Sequence, residues 1–299
     1  MSVVTFDRRV ERSTDTVAPG DHQQTPRLHG AVVDLGATAK AQKPKFEVPR
    51  ELRHFYGPGS LLLVWTALSA IGVFGPRVFP APWAVVAAGI DLTRSGVLQE
   101  HLWASLQRVF LGFAVGLVIG LTLAVIAGTM RRFEDTIDSS MQIMKAIPNF
   151  TLVPLLVIWM GINEAPKVTL IVLSVSVPVY INTYGAIRNV DSRLVESAVT
   201  LGLNRWQRVW HIILPGAVPG FLISLRFALT SAWLALVFAE TINAQRGLGA
   251  LMNDARSWWQ LDVMVLVIAI YALLGLISYS FVRFLERRLL VWRRGYKGE

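Results

Sequence analysis

The sequence predicts an all-α integral membrane protein with six transmembrane helices. Three observations predict it. Of the 299 residues, 53% are hydrophobic and only 16% are charged, where soluble domains carry about a quarter charged. Six apolar stretches approach the roughly 20 residues that a helix needs to cross the hydrocarbon. Lysine and arginine crowd one set of connecting segments, as they do on the cytoplasmic side of a membrane. Composition also excludes chemistry. With no cysteine in the chain, disulfides, thiol catalysis and thiolate metal sites are ruled out. His22, His29, His54, His101 and His211 are scattered without metal-site pairing. The net charge of +9 follows from membrane topology rather than from nucleic-acid binding.

Residues 1–50 read as a polar, disordered cytoplasmic tail, since they carry several prolines and no apolar run. Residues 51–299 form the six-span domain. The first span is Pro58–Phe74, uncharged between Arg53 and Arg77. The second is Leu102–Thr129, starting before the bilayer, with Arg108 near its outer end. Within it Gly112, Gly116 and Gly120 recur every four residues, with Gly128 two steps further on. They line one face, which suits close helix contact. The third is Ile137–Met160, broken by Pro148 and Pro154. The fourth, Val168–Ile187, holds Pro178. The fifth is Ala217–Thr241 and the sixth Val263–Glu286. Prolines inside spans mark bends beside a pathway when neighbours satisfy the freed carbonyls. With the N-terminus inside, the inner flanks hold seventeen lysines and arginines and the outer loops five. Both termini are then cytoplasmic. Trp159, Trp258, Trp259 and Trp292 fall near span ends, at the depth of an aromatic belt.

Val190–Pro215 is a polar, basic insert between two spans. Leu194, Ala198 and Leu201 lie at i, i+4 and i+7, making one apolar stripe of a short helix. Gly202 stops or turns that helix, because glycine takes positive φ without penalty. Asn204 caps a second helix carrying Trp206, Val209 and Trp210, and Pro215 ends the unit. Glu196, near the start of the first helix, suits the helix dipole and has Arg193 within reach. A helix–glycine–helix placed between spans lies at the membrane surface.

Glu196-Ser197-Ala198, three residues, Gly202, nine residues and Ile212-x-Leu214-Pro215 resemble the EAA signature of ABC importer permeases; Ser197 replaces the first alanine. Ile147-Pro148, Trp159-x-Gly161-Ile162, Ile181-Asn182-Thr183, Leu225-Arg226-Phe227-Ala228 and Leu285-Glu286-Arg287-Arg288 are similar to the nitrate, sulfonate and taurine branch, most of all to aliphatic sulfonate permeases. The resemblance implies a type I ABC importer permease fold in which this loop is a cytoplasmic coupling helix. It implies a bacterial cytoplasmic (inner) membrane location and a homodimer with a second copy of the permease. The further partners implied are two ABC ATPase subunits and an extracytoplasmic substrate-binding protein. The chain itself is then no enzyme and holds no cofactor, ATP and magnesium being used by the partner ATPase; no Walker A sequence occurs in it. The function implied is sulfonate uptake by alternating access, with taurine, nitrate or bicarbonate as alternative substrates. An ion-driven secondary transporter is the rival from another class. It calls for paired acids at mid-depth, and the spans hold almost none.

Coupling to the ATPase falls on Glu196, Ala198, Leu201, Gly202, Leu203 and Trp206. The first pathway candidate is Arg226; Asn182, Thr183 and Tyr184 in the fourth span, with Asn149 and Lys145 in the third, follow it. A charge within a span is a functional-site hypothesis by default. For Arg226 the alternatives are attraction of an anionic substrate, or snorkelling and carboxylate pairing. Glu240 is expected in a gating or structural pair. Gly247–Gly249 is expected to turn the chain into an outer helical lid.

Overall fold

The computed structural model describes residues 50–72, 75 and 79–290. Of the proposed tail, residues 1–50, residues 1–49 lie outside the described residues, as do Trp292 and the basic cluster after it, and Arg50 is the first residue of a helix. The described chain is helical throughout. Its elements are α1 (Arg50–Ala70), α2 (Pro82–Arg94), α3 (Val97–Thr129), α4 (Arg131–Ala146), α5 (Val153–Met160), α6 (Ala165–Arg188), α7 (Ser192–Thr200), α8 (Arg205–Arg208), α9 (Leu214–Asn243), α10 (Leu248–Ser257) and α11 (Leu261–Leu289).

Among the described residues, four helical segments are long and apolar enough to cross a membrane: Val97–Thr129, Ala165–Arg188, Arg205–Ile242 and Leu261–Leu289. The expected third span is not a straight helix. α4 and the segment Asn149–Met160 meet at 89°, and they make a fifth crossing only if the bent pair counts as one. The break lies at Ile147-Pro148, where Ile147 is extended (φ −81°, ψ 124°), as the ring of a following proline demands. Pro154 does not break anything. It stands in the first turn of α5, where its missing N–H has no partner to lose. In the expected first span the shorter apolar helix runs over Gly59–Ala70.

The core is built where α3, α6 and α9 meet. Val109, Leu170, Ile171, Val175, Val179, Ala228, Ala232 and Leu236 form its centre. The glycine stripe of α3 explains the close approach. A Cβ added to Gly112 would lie 2.7 Å from Ile171, one on Gly116 2.7 Å from the Val172 carbonyl, and one on Gly120 2.5 Å from the Ser176 carbonyl. α6 therefore rests on the bare backbone of α3, and dispersion contacts replace a hydrophobic driving force that lipid cannot supply. The outer faces are apolar too: Phe110, Val118, Ile268 and Leu276 are exposed.

The fifth span departs from expectation at Pro215. Helix α8 runs through a π-helical turn, Val209–Ile213, straight into α9. Pro215 stands in the first turn of α9 and does not end the unit. The Leu214 N–H donates to the Val209 carbonyl five residues back. That wider turn falls where a proline ring would otherwise strike the preceding α-turn.

Candidate functional site

α3, α6 and α9 define two ends of the helical body. The loop 189–213 joins α6 to α9 at one end. The opposite end holds the start of α6, the end of α9 and the first turns of α3. Three polar regions result: the loop, a cleft at half-height and a charged cluster at the far end.

In the loop, Asp191 caps α7 by accepting from the Arg193 N–H at 2.9 Å. The residue at the helix start is thus Asp191, and Glu196 is the fifth of nine residues. Glu196 is exposed and has no ion-pair partner among the described residues. Gly202 takes φ +77°. Its N–H donates to the Val199 carbonyl, and the Leu203 N–H to the Ala198 carbonyl, each at 3.0 Å. These two bonds are the Schellman closure that needs a left-handed residue at Gly202. Asn204 then caps α8 in a reciprocal box with Gln207, both bonds 2.9 Å. Arg205 donates to the Thr129 carbonyl at the end of α3, tying the loop to the body.

The turn leaves an apolar groove between α7 and the start of α9. It encloses about 630 Å³ and is lined by Leu194, Ala198, Leu201, Leu203, Ile212 and Pro215, with Ser197, His211 and Gly216. The structure therefore brings Ala198, Leu201 and Leu203 together on one surface around Gly202. Ala198 is buried at its floor, Leu201 is 78% exposed and Trp206, outside the groove, is 72% exposed.

The cleft opens beside the α4–α5 bend. It holds about 380 Å³ and is lined by Met144, Lys145, Asn149, Ser174, Val177, Pro178, Ile181, Asn182, Phe227 and Ser231. Ser174–Asn182 and Phe227–Ser231 are the middles of α6 and α9, so the cleft sits at half-height of both. Asn149 donates to the Ser174 hydroxyl at 3.0 Å, and Asn182 to the Pro178 carbonyl at 2.9 Å. No acid lines it. Asn149, Asn182 and Lys145 are thus brought together. Phe227 joins them from the stretch Leu225–Ala228, and Ser174 and Ser231 join them without having stood out in the sequence, although Ser174, Pro178 and Asn182 recur every fourth residue on one face of α6.

Arg226 and Tyr184 lie elsewhere. Arg226 faces α11, not the cleft: it donates to both oxygens of Glu286 at 2.8 Å and sits 5.1 Å over the Tyr279 ring. Carboxylate pairing is the alternative that this geometry takes. Tyr184 stacks on Tyr180 and donates to Glu134 at 2.8 Å. With Tyr180 donating to Asp138, it fastens the polar face of α4 to α6. The Thr183 hydroxyl is buried against Ser224.

At the far end, Glu240 does stand in a pair. Arg108 Nη1 donates to Glu240 and to the Arg246 carbonyl, each at 2.6 Å. Its other donors hold Glu164 at both oxygens, and Lys167 also reaches Glu164 at 2.9 Å. Ser105 donates to Glu240 and accepts from the Leu248 N–H. The Gly249 N–H donates to Glu240 at 2.8 Å. Glu240 thereby caps α10 from another helix, at the turn Gly247–Gly249, where a helix start favours an anion. Arg108 and Glu240 are buried, and two cations face two anions. The carboxyl of Glu164, at the mouth of α6, is pulled down to a pKa of about 2, chiefly by the hydrogen bonds from Arg108. Among the described residues no group of histidines and acids could hold a metal ion.

Comparison with known proteins bears on these regions together. Residues 116–291 match the family described as "Binding-protein-dependent transport system inner membrane component". The chain is 36% identical over 269 residues to a Bacillus subtilis (strain 168) protein named as an aliphatic sulfonates transport permease, SsuC; the match spans 90% of this chain and 98% of that one. It is 41% identical to the protein of the same name from Escherichia coli (strain K12), over 80% and 91% of the two chains. The taurine transport system permease protein TauC of Escherichia coli (strain K12) is 32% identical, over 78% and 86%. An amino acid ABC transporter crystallised with histidines shares the fold, with TM-score 0.57 at 17% identity, over 66% of this chain and 96% of that one.

Proposed function

The chain belongs to the family of binding-protein-dependent transport system inner membrane components, and from that premise we propose that it is the permease subunit of an ABC importer of aliphatic sulfonates. In this proposal the chain crosses the bacterial inner membrane six times, α1 and the bent α4–α5 segment completing the count, with both termini cytoplasmic. It pairs with a second copy of itself, two ABC ATPases and an extracytoplasmic binding protein. The chain holds no cofactor; ATP and magnesium act in the ATPases.

The observation that carries the importer proposal is the loop: a helix, a left-handed glycine and a capped second helix present an apolar groove with exposed Leu201 and Trp206. Such anchors dominate interface energies. Exposed at a membrane surface, they fit a soluble partner. Closure of the ATPases would pull on α7 and α8, and α8 is continuous with the span α9. Movement would thus reach the cleft through a rigid element. Asn149 and Asn182 are the pathway candidates that line this cleft. The identity with proteins named for aliphatic sulfonates supports the substrate; the likeness to a taurine permease supports taurine as a second one.

The test is uptake of radiolabelled ethanesulfonate and taurine by the chain reconstituted with the ATPase and binding protein expected to serve it. ATP-dependent uptake of ethanesulfonate is the expected result. Uptake of neither compound removes the sulfonate reading.

A further inference from the structure

We propose that Lys145 is the residue that selects for negative charge in the half-height cleft, receiving the oxyanion head of the substrate while Phe227 packs against its alkyl part. The proposal rests on the pathway reading above and deepens it.

Four observations carry it. Lys145 makes no hydrogen bond or ion pair among the described residues, and no acid lines the cleft it faces. The cleft therefore holds one uncompensated cation. Lys145 is an exposed member of that lining, and an unpaired charge within a membrane segment marks a functional site by default. Three other cations among the described residues do stand against carboxylates: Arg108 against Glu240 and Glu164, Lys167 against Glu164, and Arg226 against Glu286. Lys145 also stands in the last turn of α4, where the negative end of the helix dipole tolerates an ammonium while the cleft is empty.

The chemistry of the lining fits an oxyanion. An ammonium offers three donors, and each asparagine amide two. Asn149 and Asn182 each spend one N–H within the protein, so one N–H of each remains. The Ser231 hydroxyl has no partner among the described residues, and the Ser174 hydroxyl accepts from Asn149 with its own proton unassigned. A sulfonate head presents three oxygens to these donors. The volume of about 380 Å³ is that of a small-ligand site.

The absence of cysteine allows a direct test in the reconstituted complex. Lys145→Cys is expected to lower ethanesulfonate uptake tenfold or more while the complex still co-purifies. Treatment with 2-aminoethyl methanethiosulfonate, which restores a cation at that position, is expected to bring uptake back to about a third of wild type or better. The neutral methyl reagent should not. A merely structural lysine would be indifferent to that difference in charge. Wild-type uptake by Lys145→Cys, equal rescue by the neutral reagent, or no rescue after complete labelling overturns the proposal. The labelling rate of the introduced thiol is a readout independent of transport: ethanesulfonate or nitrate should slow it severalfold, and protection by no anion also overturns the proposal. Loss of uptake by the wild type strikes the sulfonate reading instead, and protection of the introduced thiol by nitrate would still support an anion at Lys145.

Discussion

Arg108 and Glu240 at one end of the helical body, and the Gly202 turn at the other, are both polar interruptions of apolar helices. The first is closed upon itself. Arg108 and Glu240 each meet groups from other helices, and one carboxylate serves α3, α9 and α10 together. The second is closed only locally. Its backbone is satisfied by the Schellman bonds and the capping box, but Leu201 and Trp206 stay largely exposed, and Glu196 is exposed with no ion-pair partner among the described residues. The difference teaches how to tell a joint from an interface. Where polar groups are both buried and paired, as Arg108 and Glu240 are, they hold the fold. Where the backbone is finished and the side chains are not, the surface fits the docking of another protein, as proposed above.

That comparison can be broken at either end. The largest effect is expected from Glu240→Ala, which leaves Arg108 buried with half its compensation. Removing one partner of a buried pair costs about 3–5 kcal/mol, read as a fall in Tm of the purified chain. Arg108→Met with Glu240→Leu should recover part of that loss, since no lone charge remains. A small effect of Glu240→Ala would mean the cluster does not hold the far end together.

Gly247→Ala should come next. Gly247 has φ +127°, and an added Cβ would meet the Glu240 carboxylate and lie 2.6 Å from Arg108 Nη1. Backbone strain of this kind costs about 1–3 kcal/mol, and displacement of the pair adds to it. The Tm should fall clearly more than for Gly185→Ala, where nothing lies within 4 Å of an added Cβ.

The smallest effect belongs to Glu164→Gln. Its side chain is 61% exposed, so solvent screens it and the loss is about 1 kcal/mol or less. Its dependence on pH is the sharper observable. The folded carboxyl titrates at about 2 against an ordinary value of 4.5. The stabilisation is therefore fully present above pH 4.5 and is lost as pH falls towards 2. The difference in Tm between wild type and Glu164→Gln should shrink over that window. A constant difference would mean that Glu164 acts through packing alone.

Much of this is legible in the sequence where the physics is local. Gly202, Asn204 and the stripe Leu194, Ala198, Leu201 specify a turn, a cap and a face within a short stretch. The glycine stripe of α3 and the break at Pro148 are likewise written in short patterns. What escapes depends on distance along the chain. Arg226 stands alone in its span until Glu286, 60 residues on, is folded against it. Glu164 has nothing to distinguish it in the sequence until α3 brings Arg108 to it across 56 residues. Pro215 reads as a stop because no residue pattern announces the π-turn that absorbs its ring. Lys145 gains weight only when the cleft places it among Asn149, Asn182 and Ser231 with no acid beside it.

The central claim is that the loop around Gly202 is a surface for a partner and not a joint of the fold. Binding-protein-stimulated ATPase activity of the reconstituted complex tests it most directly, measured for Gly202→Val and Glu196→Lys beside the wild type. No atom lies within 4 Å of a Cβ added to Gly202, so Gly202→Val acts through its positive φ, at about 1–3 kcal/mol of local strain. Both variants should insert, and both should keep a Tm much closer to wild type than Glu240→Ala does. Both should lose most of the stimulated activity and retain the ATPase poorly in pull-down. Wild-type stimulation and retention in both would contradict the account.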